Sequence, residues 1–447
     1  MGANSVKPSE LWKPFEPGRE QPWSRRLAAH LFRRAGFGAT LEELVAAEKM
    51  HPAEVIESIF QSENPDFASR MQTLERQAKA VGSVERLPNI WLYRMVKTST
   101  QLLEKATLFW HGHFATSAQK VDDVGLMIGQ NHLLRQNAIG KFGPMVHAIS
   151  RDPAMLTYLD SRENRKTRPN ENYARELMEL FCLGLGNYSE TDIKQIARTF
   201  TGWEIKKNRF RFNPYQHDQG LKSFLGESGN FDGDQAVEIV LKQKSSTKFI
   251  AKKLINFFVT DLPVSDAVAQ PIADHLSRND FDIGKTLRLI LGSCYFMDSV
   301  GNKIKSPIEL GIGFLRCLEA TGNFVSLSNR MRELGQLPFF PPNVKGWPGG
   351  RTWINSASLL GRVNMIGDLL RDEKTKWAHN DLRGLVTHYN AGSISEVVEF
   401  LETLFLAKPL TPASRKNLHS LSGKKLNNEV LTQVVYAFCA LPEFQLG

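Results

Sequence analysis

The chain has 447 residues, of which 42% are hydrophobic and 23% charged, a composition that favours a globular protein and excludes extensive disorder. Lys and Arg outnumber Asp and Glu by 56 to 47, which gives a formal net charge of +9 at pH 7. The basic residues are dispersed, and their densest stretch, 162–168 (RENRKTR), is short and contains a glutamate. Because nucleic-acid binding needs clustered positive charge, we expect no nucleic-acid partner.

The cysteines form no CxxC pair and lie in apolar, helix-like sequence, so we expect buried thiols rather than disulfides or zinc ligands. They are Cys182, Cys294, Cys317 and Cys439. No apolar run approaches the roughly 18 residues that a transmembrane helix needs. The amino terminus lacks the basic start and apolar run of a signal peptide, so we expect a cytoplasmic location for the chain as given.

Residues 1–24 are rich in Pro, Gly and charge, and Trp12, Phe15 and Trp23 are spaced along them. This segment is predicted to be an extended arm whose aromatic side chains dock on the rest of the protein. From residue 25 to 447 helical periodicity dominates. The fold class is therefore predicted to be mostly α, as one large multi-helical body whose polar motifs lie within 100–235.

The stretch 109–116 (FWHGHFAT) places two histidines among large aromatic residues. In an unbroken helix, His111 and His113 would point about 160° apart and could not share a ligand. Glycine is a common helix terminator, so we expect Gly112 to end the helix near Trp110 and both imidazoles to turn to one side. Glu104 lies on the same helical face as His111 and is a candidate additional ligand or acceptor. The alternative is that these are core histidines.

The helix predicted over 171–183 carries Asn172, Glu176 and Glu179 within about 60° of one another. Carboxylates spaced in this way supply paired ligands to metals in helical proteins. We expect the stripe to be largely buried and to approach His111 or His113. The alternative is a solvated face in which Arg175 pairs with Glu179. Ser189 begins a capping box for the following helix.

Residues 203–225 alternate apolar and polar side chains and are predicted to form a small β-hairpin or extended excursion. His217 and Asp218 follow it, either as turn residues or as further site residues. A long irregular segment, 337–355, contains four prolines, three glycines and two tryptophans, Trp347 and Trp353. Such segments are usually functional, so we expect this loop to be ordered and to pack over or beside the polar site.

These residues suggest a metal site, because mixed imidazole, amide and carboxylate ligands suit Zn, Fe or Mn. The candidate ligands are His111, His113, Asn172, Glu176 and His217. The candidate catalytic groups are Glu176, Glu179 and Asp218. No spacing matches a P-loop, a dinucleotide-binding turn, HExxH, GxSxG or an EF-hand.

Several long motifs occur together in this chain: WSRRLAAHLFRRAGFGAT, FWHGHFAT, NENYARELMELFCLGLGNYSETDIKQIARTFTGW, HDQGLKSFLG and PPNVKGWPGG. From about Trp23 to the carboxyl terminus the chain resembles the bacterial domain-of-unknown-function family numbered eighteen hundred (DUF1800). The resemblance implies export, which is frequent in that family, although no leader is visible here. It also implies a partner with an alkaline-phosphatase-like fold, because such a protein is often encoded beside family members.

Two functions follow as hypotheses. The first is a metal-dependent enzyme, hydrolytic or oxidative, in which the metal polarises a substrate oxygen or activates water and a free carboxylate serves as the base. The second is a non-catalytic binding or scaffold protein. In that case the polar motifs form a structural hydrogen-bond network, and Trp347 and Trp353 contact a partner or glycan.

Overall fold

The computed structural model describes residues 8–419 and 426–447. It confirms the predicted mostly α class, because helices dominate and the strands form only small two-stranded antiparallel sheets. The helices of the amino-terminal half are α1 (Pro8–Leu11), α2 (Arg25–Ala35), α3 (Leu41–Glu48), α4 (Pro52–Ser58), α5 (Pro65–Val81), α6 (Leu87–Lys97), α7 (Gln101–His113), α8 (Ala118–Val121), α9 (Val124–Asn137), α10 (Phe142–Ser150), α11 (Pro153–Tyr158), α12 (Glu171–Glu176) and α13 (Glu190–Thr199).

The carboxyl-terminal half continues with helices of similar length. They are α14 (Gly233–Leu241), α15 (Lys244–Phe258), α16 (Asp266–Arg278), α17 (Ile283–Leu291), α18 (Cys294–Asp298), α19 (Pro307–Cys317), α20 (Phe324–Glu333), α21 (Ser356–Arg371), α22 (Leu382–His388), α23 (Ile394–Phe405), α24 (Pro412–His419) and α25 (Asn428–Cys439). Short 3₁₀ turns and one π-helical segment, Leu177–Cys182, complete the helical structure. None of the helices in the described ranges is long and apolar enough to cross a lipid bilayer.

The predicted excursion is a pair of hairpins. Strands β1 (Trp203–Lys206) and β2 (Arg209–Phe212) pair antiparallel with Ile205 opposite Phe210, and β3 (Lys222–Phe224) pairs with β4 (Glu227–Gly229). A third small ladder joins β5 (Ala320–Thr321) to β6 (Lys376–Trp377). Trp203 and Phe210 pack against each other on the inner face of the first hairpin, because alternate residues of a strand point to the same side.

The amino-terminal arm docks through its aromatic residues, as expected. Trp12 and Phe15 are buried, and the indole of Trp12 donates to the Val268 carbonyl at 2.9 Å. The indole of Trp23 donates to the Ala47 carbonyl at 3.0 Å. The arm is not wholly extended, because α1 forms within it. Residues 1–7 lie outside the described residues.

Two further expectations about local structure can be compared with the fold. The capping box at Ser189 is confirmed: its hydroxyl accepts from the Asp192 N–H, and the Asp192 carboxylate accepts from the Ser189 N–H. Cys182, Cys317 and Cys439 are buried free thiols, whereas Cys294 is partly exposed because it begins the short helix α18 near the surface.

Candidate functional site

The two histidines of FWHGHFAT do not face a common site. Helix α7 continues through Gly112 to His113, so the expectation that it ends near Trp110 was wrong. Two residues apart on a continuous helix, the imidazoles lie on nearly opposite sides. Gly346 is the glycine that the packing here requires: a Cβ built on it would lie 2.1 Å from the Gly112 carbonyl oxygen, whereas a Cβ built on Gly112 would meet only the Trp347 ring, at 3.7 Å. Gly112 therefore lies beneath the loop and does not end the helix.

His111 holds the long loop in place. Its Nε2 accepts a hydrogen bond from the Phe339 N–H at 2.9 Å, and its ring packs against Trp91 and Trp347. Burial lowers the pKa of His111 to about 3, so the imidazole is neutral at pH 7. This bond confirms that the 337–355 loop packs beside a motif histidine.

His113 joins α7 to a different part of the fold. Its Nε2 donates to the Phe181 carbonyl at 2.9 Å, and its ring lies among aromatic side chains that include Phe114 and Phe142. Burial, followed by the charge of Lys253, lowers the pKa of His113 to about 3. Its Nδ1 is buried and has no hydrogen-bond partner among the described residues. With Nε2 protonated, Nδ1 keeps an unused lone pair.

The predicted acidic stripe does not form a buried face. Helix α12 ends at Glu176 and the backbone continues as a π-helical segment, which changes the spacing that α-helical geometry predicts. Asn172 is exposed and donates to the Leu159 carbonyl, while Glu176 and Glu179 are partly exposed. Glu179 accepts from the Tyr188 hydroxyl at 3.0 Å. The expectation that the stripe is largely buried was therefore wrong. Among the described residues no hydrogen bond joins either carboxylate to His111 or His113, and the expected approach to the histidines stays a prediction.

The neighbours of the acidic stripe also differ from the expectation. Arg175 pairs with Glu190 at 2.8 Å instead of Glu179. Burial and the nearby Glu179 raise the pKa of Glu176, while Lys345 opposes that shift. The contact with His113 is made by the backbone: the Phe181 carbonyl, near the end of the π-helical segment, accepts a hydrogen bond from the His113 imidazole.

Glu104 is not a ligand but the centre of a buried ion-pair network. It is fully buried and accepts from the Trp91 indole at 2.7 Å and from Arg135 at 2.6 Å. Burial alone would raise the pKa of Glu104, but Arg135 and then Arg94 hold it below its usual value. Trp91 links this network to His111.

His217 and Asp218 fasten the loop after the first hairpin to the end of α13. The buried His217 donates from Nδ1 to the Thr201 carbonyl at 2.8 Å. Asp218 pairs with Arg198 at 2.7 Å, and that guanidinium lowers the pKa of the Asp218 carboxyl to about 2. The Gly220 N–H also donates to this carboxylate. Both residues therefore have structural partners of their own.

The predicted ligands consequently lie in separate networks. Within residues 8–419 and 426–447, no group of three or more His, Cys, Asp or Glu side chains is placed to hold a metal ion. Each imidazole instead bonds to the backbone, through Phe339, Phe181 or Thr201.

A cleft of about 760 Å³ lies between α7, the carboxyl-terminal half of α15 and the loop segment 345–353. Its charged lining residues are Lys253, Asp261, Lys303, Glu309, Lys345 and Arg351, and its aromatic ones include Phe109, His113, Phe257, Trp347 and Trp353. His113, Trp347 and Trp353 belong to motifs that the sequence singles out, whereas no motif pointed to the cations of the cleft. The one available signal for Lys253 was a lysine within the apolar helix sequence KFIAKKLINFF.

The carboxylates of the cleft are already neutralised. Asp261 pairs with Lys303, and Glu309 pairs with the buried Lys105 and lies 3.5 Å from Arg34. Although burial opposes it, Lys105 and Arg34 hold the pKa of Glu309 well below its usual value. These pairs leave no spare negative charge on the walls.

Three cations of the cleft have no such partner in the described parts of the chain: Lys253, Lys345 and Arg351 form no ion pair there. Lys253 is the most enclosed of them. Its ammonium lies over the Phe249 ring, 5.3 Å from the centroid, and burial lowers its pKa. The indole N–H of Trp347 is also buried without a hydrogen-bond partner.

Comparison with known protein families gives one match. The model of a family described as "Protein of unknown function (DUF1800)" matches residues 30–446, nearly the whole chain. Searches of curated proteins and of solved structures found no similar protein.

Proposed function

Because the chain belongs to the DUF1800 family, whose description assigns no activity, we propose a function from the geometry: the protein binds a small anionic ligand in its tryptophan-lined cleft. The polar motifs act as the structural network that shapes this cleft. This is the binding alternative of the two hypotheses that the sequence raises.

The unpaired positive charge of the cleft is the observation that carries the proposal. Lys253 is largely buried, yet it has neither a carboxylate partner nor a hydrogen bond among the described residues. Burying an unpaired ammonium costs free energy, so such a site favours a negatively charged group that neutralises it. Lys345 and Arg351 add to the same potential at the cleft.

The size and walls of the cleft indicate what else the ligand carries. Its volume lies within the roughly 300–1,000 Å³ of small-molecule sites. Trp347 and Trp353 offer flat apolar surfaces, which suit a ring or the apolar face of a sugar. The unpartnered Trp347 indole is a donor and the unpartnered His113 Nδ1 is an acceptor. The ligand therefore combines an acidic group, a flat face and hydroxyl or amide groups.

The two motif histidines also support this function by holding the walls of the cleft in place. His111 anchors the loop that carries Trp347, and His113 fixes α7 against the end of the π-helical segment. Gly346 allows the loop backbone to lie directly on α7, against the Gly112 carbonyl. A rigid wall lowers the entropy cost of binding, because less of the site must be ordered by the ligand.

The metal-dependent reaction stays a prediction. Glu176, Glu179 and Asp218 remain its candidate bases, but their separate partners do not favour it over binding. Elemental analysis of the purified protein, with and without chelator, tests it. The partner with an alkaline-phosphatase-like fold and the cytoplasmic location likewise stay predictions.

The proposal is tested by thermal unfolding of the purified chain with inorganic phosphate, galacturonate or adenosine monophosphate as probes. We expect at least one probe to raise Tm and quench tryptophan fluorescence. Replacing Lys253→Met should remove that stabilisation, whereas Lys244→Met, an exposed lysine of the same helix outside the cleft, should keep it. Equal stabilisation of both variants, or none of the wild-type protein, would contradict binding in the cleft.

A further inference from the structure

The first hairpin and the segment 162–168 form one continuous surface. The Ile205 N–H donates to the Arg162 carbonyl at 3.0 Å, and the Asn164 N–H donates to the Trp203 carbonyl at 3.2 Å. The Lys166 N–H donates to the Gln216 carbonyl at 2.9 Å. The fold therefore brings together basic residues that the sequence keeps apart, which removes the ground, dispersed charge, on which no nucleic-acid partner was expected.

This surface carries exposed cations that lack ion pairs in the parts of the chain that the structure describes. We call these the basic face: Lys166, Arg168, Lys206, Lys207 and Arg209. Of the acids beside them, Glu163 pairs with Arg165 and Glu204 pairs with Arg211, while the Asp123 carboxylate accepts from the Asn208 side chain at the hairpin turn.

The hairpin register adds evidence that this charge is unfavourable for the isolated protein. Lys206 and Arg209 are directly opposite each other on β1 and β2. Like charges in this position repel and destabilise a strand pair. The Asp123 carboxylate, which accepts from the Asn208 side chain at the turn, offsets part of that repulsion, and a bound polyanion would relieve more of it.

One aromatic side chain lies exposed on the segment that follows the hairpin. Tyr215 is 84% exposed and stands three residues after the end of β2, next to Gln216, whose carbonyl accepts from the Lys166 N–H. Phe212, the last residue of β2, alternates with Arg209 and Arg211 and therefore lies with Phe210 on the other side of the hairpin. Cations that track a phosphate backbone, together with rings on which bases stack, are the two components of single-strand recognition. An anionic bilayer fits less well, because anchoring there requires an apolar face that inserts below the headgroups.

We propose that the basic face binds single-stranded nucleic acid, with its phosphates on Lys206, Arg209 and Lys166 and a base stacked on Tyr215. The contacts are mostly electrostatic, so binding is tolerant of sequence and weakens steeply with salt. This surface uses none of the side chains that line the cleft, so it is independent of the function proposed above.

The test is fluorescence anisotropy of a labelled oligothymidylate of about 20 nucleotides, longer than the ~4–16 nucleotides of a single binding module. The double variant Lys206→Glu/Arg209→Glu should bind at least about tenfold more weakly, with a shallower salt dependence. The matched control is Lys49→Glu/Lys79→Glu, two exposed lysines elsewhere, which changes net charge equally and should shift affinity less than about twofold.

A third variant separates stacking from charge. Tyr215→Ser keeps the net charge and should weaken binding at least about fivefold, because a stacked base is lost. Circular dichroism of each variant verifies the fold. The proposal is overturned if the oligonucleotide does not bind the wild-type chain or if the control variant loses as much affinity. It is also overturned if vesicles of phosphatidylserine and phosphatidylcholine retain the protein while the oligonucleotide does not.

Discussion

The cleft and the basic face both carry unpaired cations, but in opposite surroundings. Lys253 lies in a largely buried position over an aromatic ring, whereas Lys206 and Arg209 stand in solvent on a short hairpin. In the cleft Lys253 loses much of its hydration, so the position of this one group matters, whereas Lys345 and Arg351 are exposed. On the hairpin the charges stay hydrated, and their effect depends on their sum and on salt.

Burial decides whether a cation binds one anionic group in a fixed position or only attracts negative charge over a distance. Around the cleft, buried ion pairs such as Glu104 with Arg135 and Glu309 with Lys105 fix the walls. On the surface of the basic face, ion pairs such as Glu163 with Arg165 are exposed and contribute little to the stability of the fold. The same residue types therefore stabilise the fold around the cleft, whereas on the basic face they act mainly through long-range electrostatic attraction.

The largest contrast should appear when one partner of an ion pair is removed in each region. Glu104→Gln leaves Arg135 and Arg94 without their shared buried carboxylate and should lower the free energy of unfolding by about 3–5 kcal/mol. Glu163→Gln removes an exposed pair and should cost less than about 0.5 kcal/mol. Urea unfolding measures both. Similar costs for the two variants would remove the distinction between the regions.

A second contrast lies within the loop that walls the cleft. Gly346 and Gly349 both have positive φ, of 75° and 73°, but only Gly346 is packed against α7. Gly346→Ala should destabilise by about 3 kcal/mol or more, because its Cβ would overlap the Gly112 carbonyl oxygen. Gly349→Ala meets nothing within 4 Å and should cost less, about 2 kcal/mol, all of it backbone strain at φ 73° and ψ −177°, a conformation that glycine alone adopts readily. Equal losses in urea unfolding would show that backbone contact does not fix the loop.

The buried histidines should make stability depend on pH below neutrality. In the folded state burial lowers the pKa of His113 from 6.5 to about 3, so between these values the unfolded chain binds more protons. Stability is then fully present above pH 6.5 and falls as the pH drops toward 3. His113→Phe should make this fall shallower while changing stability at pH 7 by no more than about 1 kcal/mol. Chemical denaturation across this range, unchanged by the variant, would contradict the assignment.

The smallest contrast concerns the unpaired cations themselves. Lys253→Met removes a poorly solvated ammonium and should raise the free energy of unfolding of the ligand-free protein by about 1 kcal/mol. Lys206→Met changes an exposed lysine and should stay within about 0.5 kcal/mol of wild type. If Lys253→Met were instead destabilising, the lysine would have a structural partner and the binding proposal would lose its main support.

Local patterns predicted much of the fold. The capping box at Ser189, the hairpin within 203–225 and the docking of Trp12 and Phe15 depend on residue type and short spacing, and all are present. The 337–355 loop was expected to pack over or beside the predicted polar site; its Phe339 N–H bonds to His111, although the predicted site residues lie in separate networks. The order of the family motifs identified the family over nearly the whole chain.

The arrangement of the polar residues was decided by tertiary structure. Helix α7 continues through Gly112 to His113, and the backbone of Gly346 packs against the Gly112 carbonyl, a contact between segments far apart in sequence. The π-helical segment after Glu176 changes the predicted acidic stripe, and its end presents the Phe181 carbonyl to His113. Lys253 lines a cleft only because the loop segment 345–353 packs beside it. The segment 162–168 joins the basic face only because its backbone hydrogen-bonds to the first hairpin. Sequence spacing predicts which residues share one helix or strand, whereas burial and charge neutralisation depend on what the rest of the chain places beside them.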